Sequence, residues 1–118
     1  MTAQGTNLLS EVDRSFGRAR WFVVIDVDQE THAAHSNKQN LDAAQGAGIQ
    51  AARNVVDLGV EAVLTGNVGP KAFRTLMAAS IKIFVFDKSV TTVSDALSEW
   101  KSNHLQEVND ATIESHWI

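Results

Sequence analysis

The seven residues Thr65-Gly66-Asn67-Val68-Gly69-Pro70-Lys71 follow directly on an apolar run and carry two glycines and a lysine. Glycine lets the backbone approach a ligand closely. Amide N–H groups at a helix start, reinforced by the helix dipole, favour negative charge. Gly66, Asn67, Val68, Gly69 and Lys71 are therefore candidate anion-binding residues. This is not a Walker-type phosphate loop, because that glycine spacing and a lysine followed by Ser or Thr are both missing. A tight turn requiring glycine conformations accounts for the same residues equally well. A second feature is Arg14-Ser15-Phe16-Gly17-Arg18-Ala19-Arg20, which places three arginines in one loop. Arginine's fixed donor fork suits oxyanions and sulfide-rich anions, making Arg14 and Arg18 candidates; a solvated loop paired to Glu11 and Asp13 is the plainer reading. In Gln45-Gly46-Ala47-Gly48, two glycines interrupt a helical pattern at about 1 kcal/mol each relative to alanine. Gly46 and Gly48 either open a backbone surface to a ligand or let the helix pack closely on a sheet.

Other chemistry is thinly represented. The chain has no cysteine, which removes disulfides, zinc–thiolate sites, cysteine-ligated iron–sulfur clusters and cysteine nucleophiles together. His32 and His35 are three apart on an expected strand and so face opposite sides of the sheet, a poor chelate; His35 alone stands as a single-ligand candidate. His104 and His116 fall towards the tail. No nucleophile elbow and no HExxH occur. Asp26, Asp28, Glu30 and Glu61 are the carboxylates from which a magnesium cluster of nuclease type would be built, although a strand-end acidic pair is ordinarily just solvated.

The elements that must position these residues follow from periodicity. Trp21 to Val27 is an apolar, β-branched run followed by Asp28-Gln29-Glu30 and a weaker segment, Thr31 to Ser36, which together predict a hairpin. From Asn40 apolar residues recur every three or four positions, predicting an amphipathic helix capped by Asn40 and ended at Gly59. Val60–Thr65, a helix opening at Pro70 with Phe73, Leu76 and Met77 buried, and Ile81–Phe86 then read as parallel β-α-β units. Thr92 and Asp95 form a capping box for a last helix that buries Val93, Ala96, Leu97 and Trp100. Met1 to Gln4 supplies only a stub of strand, and the last fifteen residues show no period. The result is one α/β domain over 1–118, a mixed sheet with an N-terminal antiparallel hairpin and C-terminal β-α-β units.

At 118 residues with 44% apolar and 20% charged composition, the chain has the make-up of one folded domain. Its net charge of −4 gives no general attraction to phosphate backbones, so no nucleic-acid partner is expected. No apolar run approaches the ~20 residues of a membrane helix, and no secretory pattern opens the chain, so neither a membrane association nor export is expected and a cytoplasmic location is.

Four stretches in order carry a family resemblance. Glu11-Val12-Asp13 with Phe16-Gly17-Arg18-Ala19, Gly46-Ala47-Gly48-Ile49-Gln50-Ala51-Ala52, Gly59-Val60, and Thr65-Gly66-Asn67-Val68-Gly69-Pro70 resemble the successive motifs of the dinitrogenase iron–molybdenum cofactor biosynthesis domain family. Gln39 to Gly46 and the closing Ser115-His116-Trp117 look most like its stand-alone members from anaerobes. The resemblance implies a ribonuclease H-like fold and non-catalytic binding, carriage or scaffolding of an anionic molybdenum-containing metal–sulfur cluster. In one branch that is a mixed molybdenum–copper sulfide cluster held without covalent ligands. It also implies cluster-delivery or division-related protein partners. Histidine-containing cofactor motifs of larger relatives are missing here. A regulatory protein-interaction module of the same fold and a magnesium-dependent nuclease-like enzyme are the alternatives.

Overall fold

The computed structural model describes residues 1–37 and 46–109. The opening stub is a strand, β1 (Thr2–Ala3), paired antiparallel to β2 (Trp21–Asp26) with Thr2 opposite Phe22. On its other edge β2 pairs with β3 (Thr31–Ser36), completing the expected hairpin. Asp26 closes the turn, its Oδ1 accepting from the amides of Asp28 and Gln29 at 3.1 and 3.0 Å.

The second half runs α1 (Ala47–Asp57), β4 (Ala62–Thr65), α2 (Pro70–Ala78), β5 (Lys82–Val85), α3 (Val93–Lys101) and β6 (Gln106–Glu107). β4 and β5 are parallel, and β6 adds antiparallel to β5. The expectation of one mixed sheet is corrected to two three-stranded sheets, β1-β2-β3 antiparallel and β4-β5-β6 mixed. They meet at two buried threonines. Thr2 donates its hydroxyl to the Asp13 carbonyl at 2.6 Å and accepts from the Thr65 hydroxyl at 2.9 Å. β6 lies in the stretch that showed no period, and two residues are too short to show one.

Helix boundaries follow local rules. Gly59, at φ 74°, ends the turn after α1 as expected, since that region favours glycine. Asn40, the expected cap, lies outside the described residues; α1 is described from Ala47. Pro70 opens α2 at its first position. Its buried row, however, is Ala72 and Leu76, with Phe73 half-buried and Met77 43% exposed, which corrects the expected burial of Met77. The helix is turned so that Ala72 meets Gly48: a Cβ on Gly48 would lie 3.4 Å from the Ala72 Cβ. Two small residues thereby bring the starts of α1 and α2 together. α3 carries the capping box, with Thr92 and Asp95 satisfying each other's amides.

Successive strand residues point to opposite faces, and two cores result. Phe22, Val63 and Ile83 pack with Phe16 against α1 and α2. Val23, Leu64 and Phe86 pack with Val12 against α3. No helix among the described residues is long and apolar enough to cross a membrane.

Candidate anion site at the helix starts

The arginine loop is seated between the starts of α1 and α2. Ser15 bridges in parallel to Asn67, and the Phe16 amide donates to the Asn67 carbonyl at 3.2 Å. Phe16 itself is buried in the core and fixes the loop from beneath. A Cβ on Gly17 would lie 3.0 Å from the Gly48 Cα, and a Cβ on Gly66 would lie 2.6 to 2.8 Å from Arg14 backbone and side-chain atoms. Gly17, Gly48 and Gly66 thus let three chain segments touch. Within the loop, Asp13 Oδ1 accepts from the Ser15 amide and Ser15 Oγ from the Arg18 amide.

Asn37 secures the other side of the loop. It is fully buried, its Nδ2 donating to the carbonyls of Ala19 at 2.8 Å and Gly17 at 3.3 Å, while its amide donates to Arg20 O. Sequence reasoning missed this residue and Thr2, and took Thr65 only as the start of the glycine-bearing segment, not as a buried hydroxyl partner. A single polar residue beside a strand end carries no periodic signal, and the partners of all three are distant in sequence.

The nine candidate residues divide by setting. Arg14 is a clamp: Nη1 donates to Asp87 O and Nη2 to Val90 O, both at 2.8 Å, with the guanidinium 5.7 Å from the centre of the Phe86 ring. Beside it, the hydroxyl and amide of Ser89 donate to the Asp87 carboxylate and, with the Arg14 charge, hold it below its ordinary range. Val68 is fully buried and packs in the core with Phe16 and Ala72, so this candidate is placed beneath the crevice rather than at it. Gly46 is exposed, has φ 79°, and has open space where a Cβ would stand. Arg18 and Lys71 are exposed, Lys71 in the first turn of α2. Gly46 and Gly69 are the N-caps of α1 and α2, and neither helix has a side-chain cap or an acidic residue in its first turn. Two helix starts of uncompensated positive polarity therefore lie together, with Asn67 and Gly69 on the connection between strand and helix.

His35 and His32 are both exposed on β3, opposite Phe22 and Ile25 respectively. His104 is 2.9 Å from Glu99 Oε2 on the surface; His116 lies outside the described residues. Asp28 and Glu30 are exposed in the hairpin turn. Among the described residues no group of three His, Cys, Asp or Glu side chains converges to hold a metal ion. A cavity of about 390 Å³ lies not at this crevice but at the opposite end of β4, lined by Gly59, Glu61 and Ala62.

The architecture is a small α/β domain with its candidate crevice at the carboxyl end of a parallel strand, where open α/β sheets bind ligands. The chain belongs to the dinitrogenase iron–molybdenum cofactor family, whose model matches residues 1–103. It is similar to the apo form of the orange protein from Desulfovibrio gigas, at 35% identity and a TM-score of 0.89, covering 94% of this chain and 92% of that one. A Thermotoga protein of the DUF35 family is 30% identical with a TM-score of 0.83, covering 98% and 96%. A Methanocaldococcus jannaschii protein, 16% identical with a TM-score of 0.62 over 93% and 90%, shares the fold. No curated protein matches.

Proposed function

We propose that the protein binds and carries an anionic molybdenum-containing metal–sulfur cluster, a mixed molybdenum–copper sulfide being the specific candidate, without covalent ligands and without catalysis. The observation that carries this reading is the meeting of two uncapped helix starts beside an arginine-bearing loop, in a chain without cysteine. Its family membership and its likeness to orange protein support it. The donor set fits such a cargo: backbone amides around Gly46 to Gly48 and Gly69 to Lys71, the Lys71 ammonium and Arg18 offer N–H groups and positive charge to sulfide. Arg14 serves by holding the loop. In this reading the strand order continues from β2 through β1 to β4 in the ribonuclease H-like manner, and the protein works in the cytoplasm with a delivery protein.

Anaerobic titration of the protein with tetrathiomolybdate and copper(I), followed by gel filtration, tests the proposal. Co-eluting molybdenum and a charge-transfer spectrum are expected, both lost as salt rises. Protein that elutes free of molybdenum at low salt refutes it, and magnesium-dependent cleavage of nucleic acid would favour the nuclease alternative.

A further inference from the structure

β3 is the outer strand of its sheet, and no described strand pairs with its far edge. Which of its backbone groups lie on that edge follows from the ladder. The Asn37 amide donates to Arg20 O, so position 37 turns towards β2. The Val23 amide is spent on the β1 side, on Met1 O, so Val23 and the Ala34 opposite it are a non-bonded pair. Bonded and non-bonded pairs alternate along an antiparallel ladder. Thr31, Ala33 and His35 therefore give their backbone groups to β2, while His32 and Ala34 turn theirs outward.

Edge strands of native sheets are ordinarily guarded by lysine, proline, a bulge or a covering element. β3 has none of these among the described residues. It contains no lysine or proline, its register against β2 is unbroken over six pairs, and all its residues are exposed except the half-buried Ala34. At about 3.3 Å per residue it offers an open edge of about 20 Å. Charge is also laid out along this hairpin. Asp26, Asp28 and Glu30 are exposed at the turn, and Arg20 is exposed at the other end.

We infer that β3 is a self-association edge: two copies of the protein pair their β3 strands antiparallel about a two-fold axis, joining two β1-β2-β3 sheets into one of six strands. A second copy is the occupant that the charges select. Antiparallel pairing brings the acidic turn of each hairpin towards the Arg20 end of the other, and a two-fold makes that match twice. The register follows from the outward groups. His32 of each copy exchanges both backbone bonds with Ala34 of the other, four bonds in all, which sets Ala33 opposite its own counterpart. That is a non-bonded pair, in which Cα atoms approach to about 4.5 Å, and alanine brings no bulk to this closest point. An axis normal to the sheet keeps every side chain on its own face, as direct opposition requires. Because β3 is bare on both faces, no described helix stands in the way of the second hairpin. One short ladder buries less than the ~1,000 Å² of a stable interface, so the dissociation constant should lie between about 10 μM and 1 mM. The assignment is independent of the cluster reading, since no residue of β3 is among the donors proposed there.

Sedimentation velocity of the full chain at low salt, from about 10 μM to 1 mM to span that range, tests the proposal. A monomer–dimer equilibrium is expected, with hydrogen exchange at the His32 and Ala34 amides slowing as concentration rises. His32→Pro removes an outward amide and spares the β2 ladder, a position where proline is tolerated. Ala33→Lys sets like charges opposite each other across the axis. Each should weaken dimerisation at least about tenfold, while thermal unfolding at low concentration shows the monomer intact. Arg20→Glu should also weaken the dimer, and adding Asp28→Lys and Glu30→Lys should restore it, because the two ends then exchange signs. A chain that stays monomeric to the top of the range would overturn the proposal. So would a dimer that neither His32→Pro nor Ala33→Lys weakens, which would place the contact on another surface.

Discussion

Substituting alanine for Gly66 separates the two readings of the glycine-bearing segment. A Cβ there would meet three atoms of Arg14 at once, its carbonyl oxygen at 2.6 Å, Cα at 2.7 Å and Cβ at 2.8 Å. Two of these are backbone, and Arg14 cannot retreat freely because its guanidinium is tied to Asp87 and Val90. Overpacking of this kind typically costs about 1–3 kcal/mol, and a backbone obstacle places Gly66→Ala at the upper end, about 2–3 kcal/mol. For a domain of this size each kcal/mol moves the midpoint by about 3–6 °C, so a loss of about 6–18 °C is expected. Gly48→Ala is the matched control. Its Cβ would stand in ordinary contact with Ala72 at 3.4 Å, and inside a helix the exchange should gain about 0.5–1 kcal/mol through backbone entropy. Thermal and urea unfolding followed by circular dichroism measure both. A Gly66→Ala midpoint within about 2 °C of the parent, against the several degrees expected, would show that the Arg14–Gly66 contact does not constrain the fold.

Lys71→Glu should have opposite effects on binding and stability: an acid in the first turn of α2 stabilises the helix by about 0.3–1 kcal/mol, while thiometallate affinity falls; unfolding and anaerobic titration read the two. Asn37→Ala should cost about 1–3 kcal/mol by leaving the Gly17 and Ala19 carbonyls without their buried donor, measured by urea unfolding. If the cargo is held by charge, as proposed, His35→Ala should leave cluster spectra unchanged; loss of the spectrum would reveal a coordinate bond. Burial pushes the Met1 α-amine from 8.0 down to about 5, so the unfolded chain binds the extra proton between these values and stability should rise with pH from about 5 to 8. That drop sets a ceiling of about 4 kcal/mol, with the observed slope well under it because Met1 is half-buried; N-terminal acetylation should flatten the profile in a urea series.

What could be read in the sequence follows from how far each determinant reaches along the chain. The proline start of α2, the glycine end of α1 and the Thr92–Asp95 box depend on neighbours within four residues and the hairpin on pairs at most fifteen apart, and all four were legible. The split into two sheets depends on Thr2 meeting Thr65, sixty-three positions away, and nothing local announces it. Met77 illustrates the same limit: its spacing matches a buried row, yet the contact between Gly48 and Ala72 rotates α2 and leaves it exposed.

The candidate site was legible as residue types but not as roles. Arg14 and Arg18 look alike in sequence, two arginines of one loop on either side of Gly17. The fold commits Arg14 to two carbonyls and an aromatic ring, whereas Arg18 and Lys71 stand exposed beside the helix starts. The glycines divide similarly. Gly66 and Gly17 exist so that chain segments can touch, while Gly46 and Gly69 open helices that have no side-chain cap. Packing glycines and helix-start glycines therefore make one device: the first kind brings the arginine loop against both helices, and that closeness gathers two positive helix ends at a single crevice. A loop held even a few ångströms away would leave the same residues separate and solvated, with electrostatics that water and salt would screen.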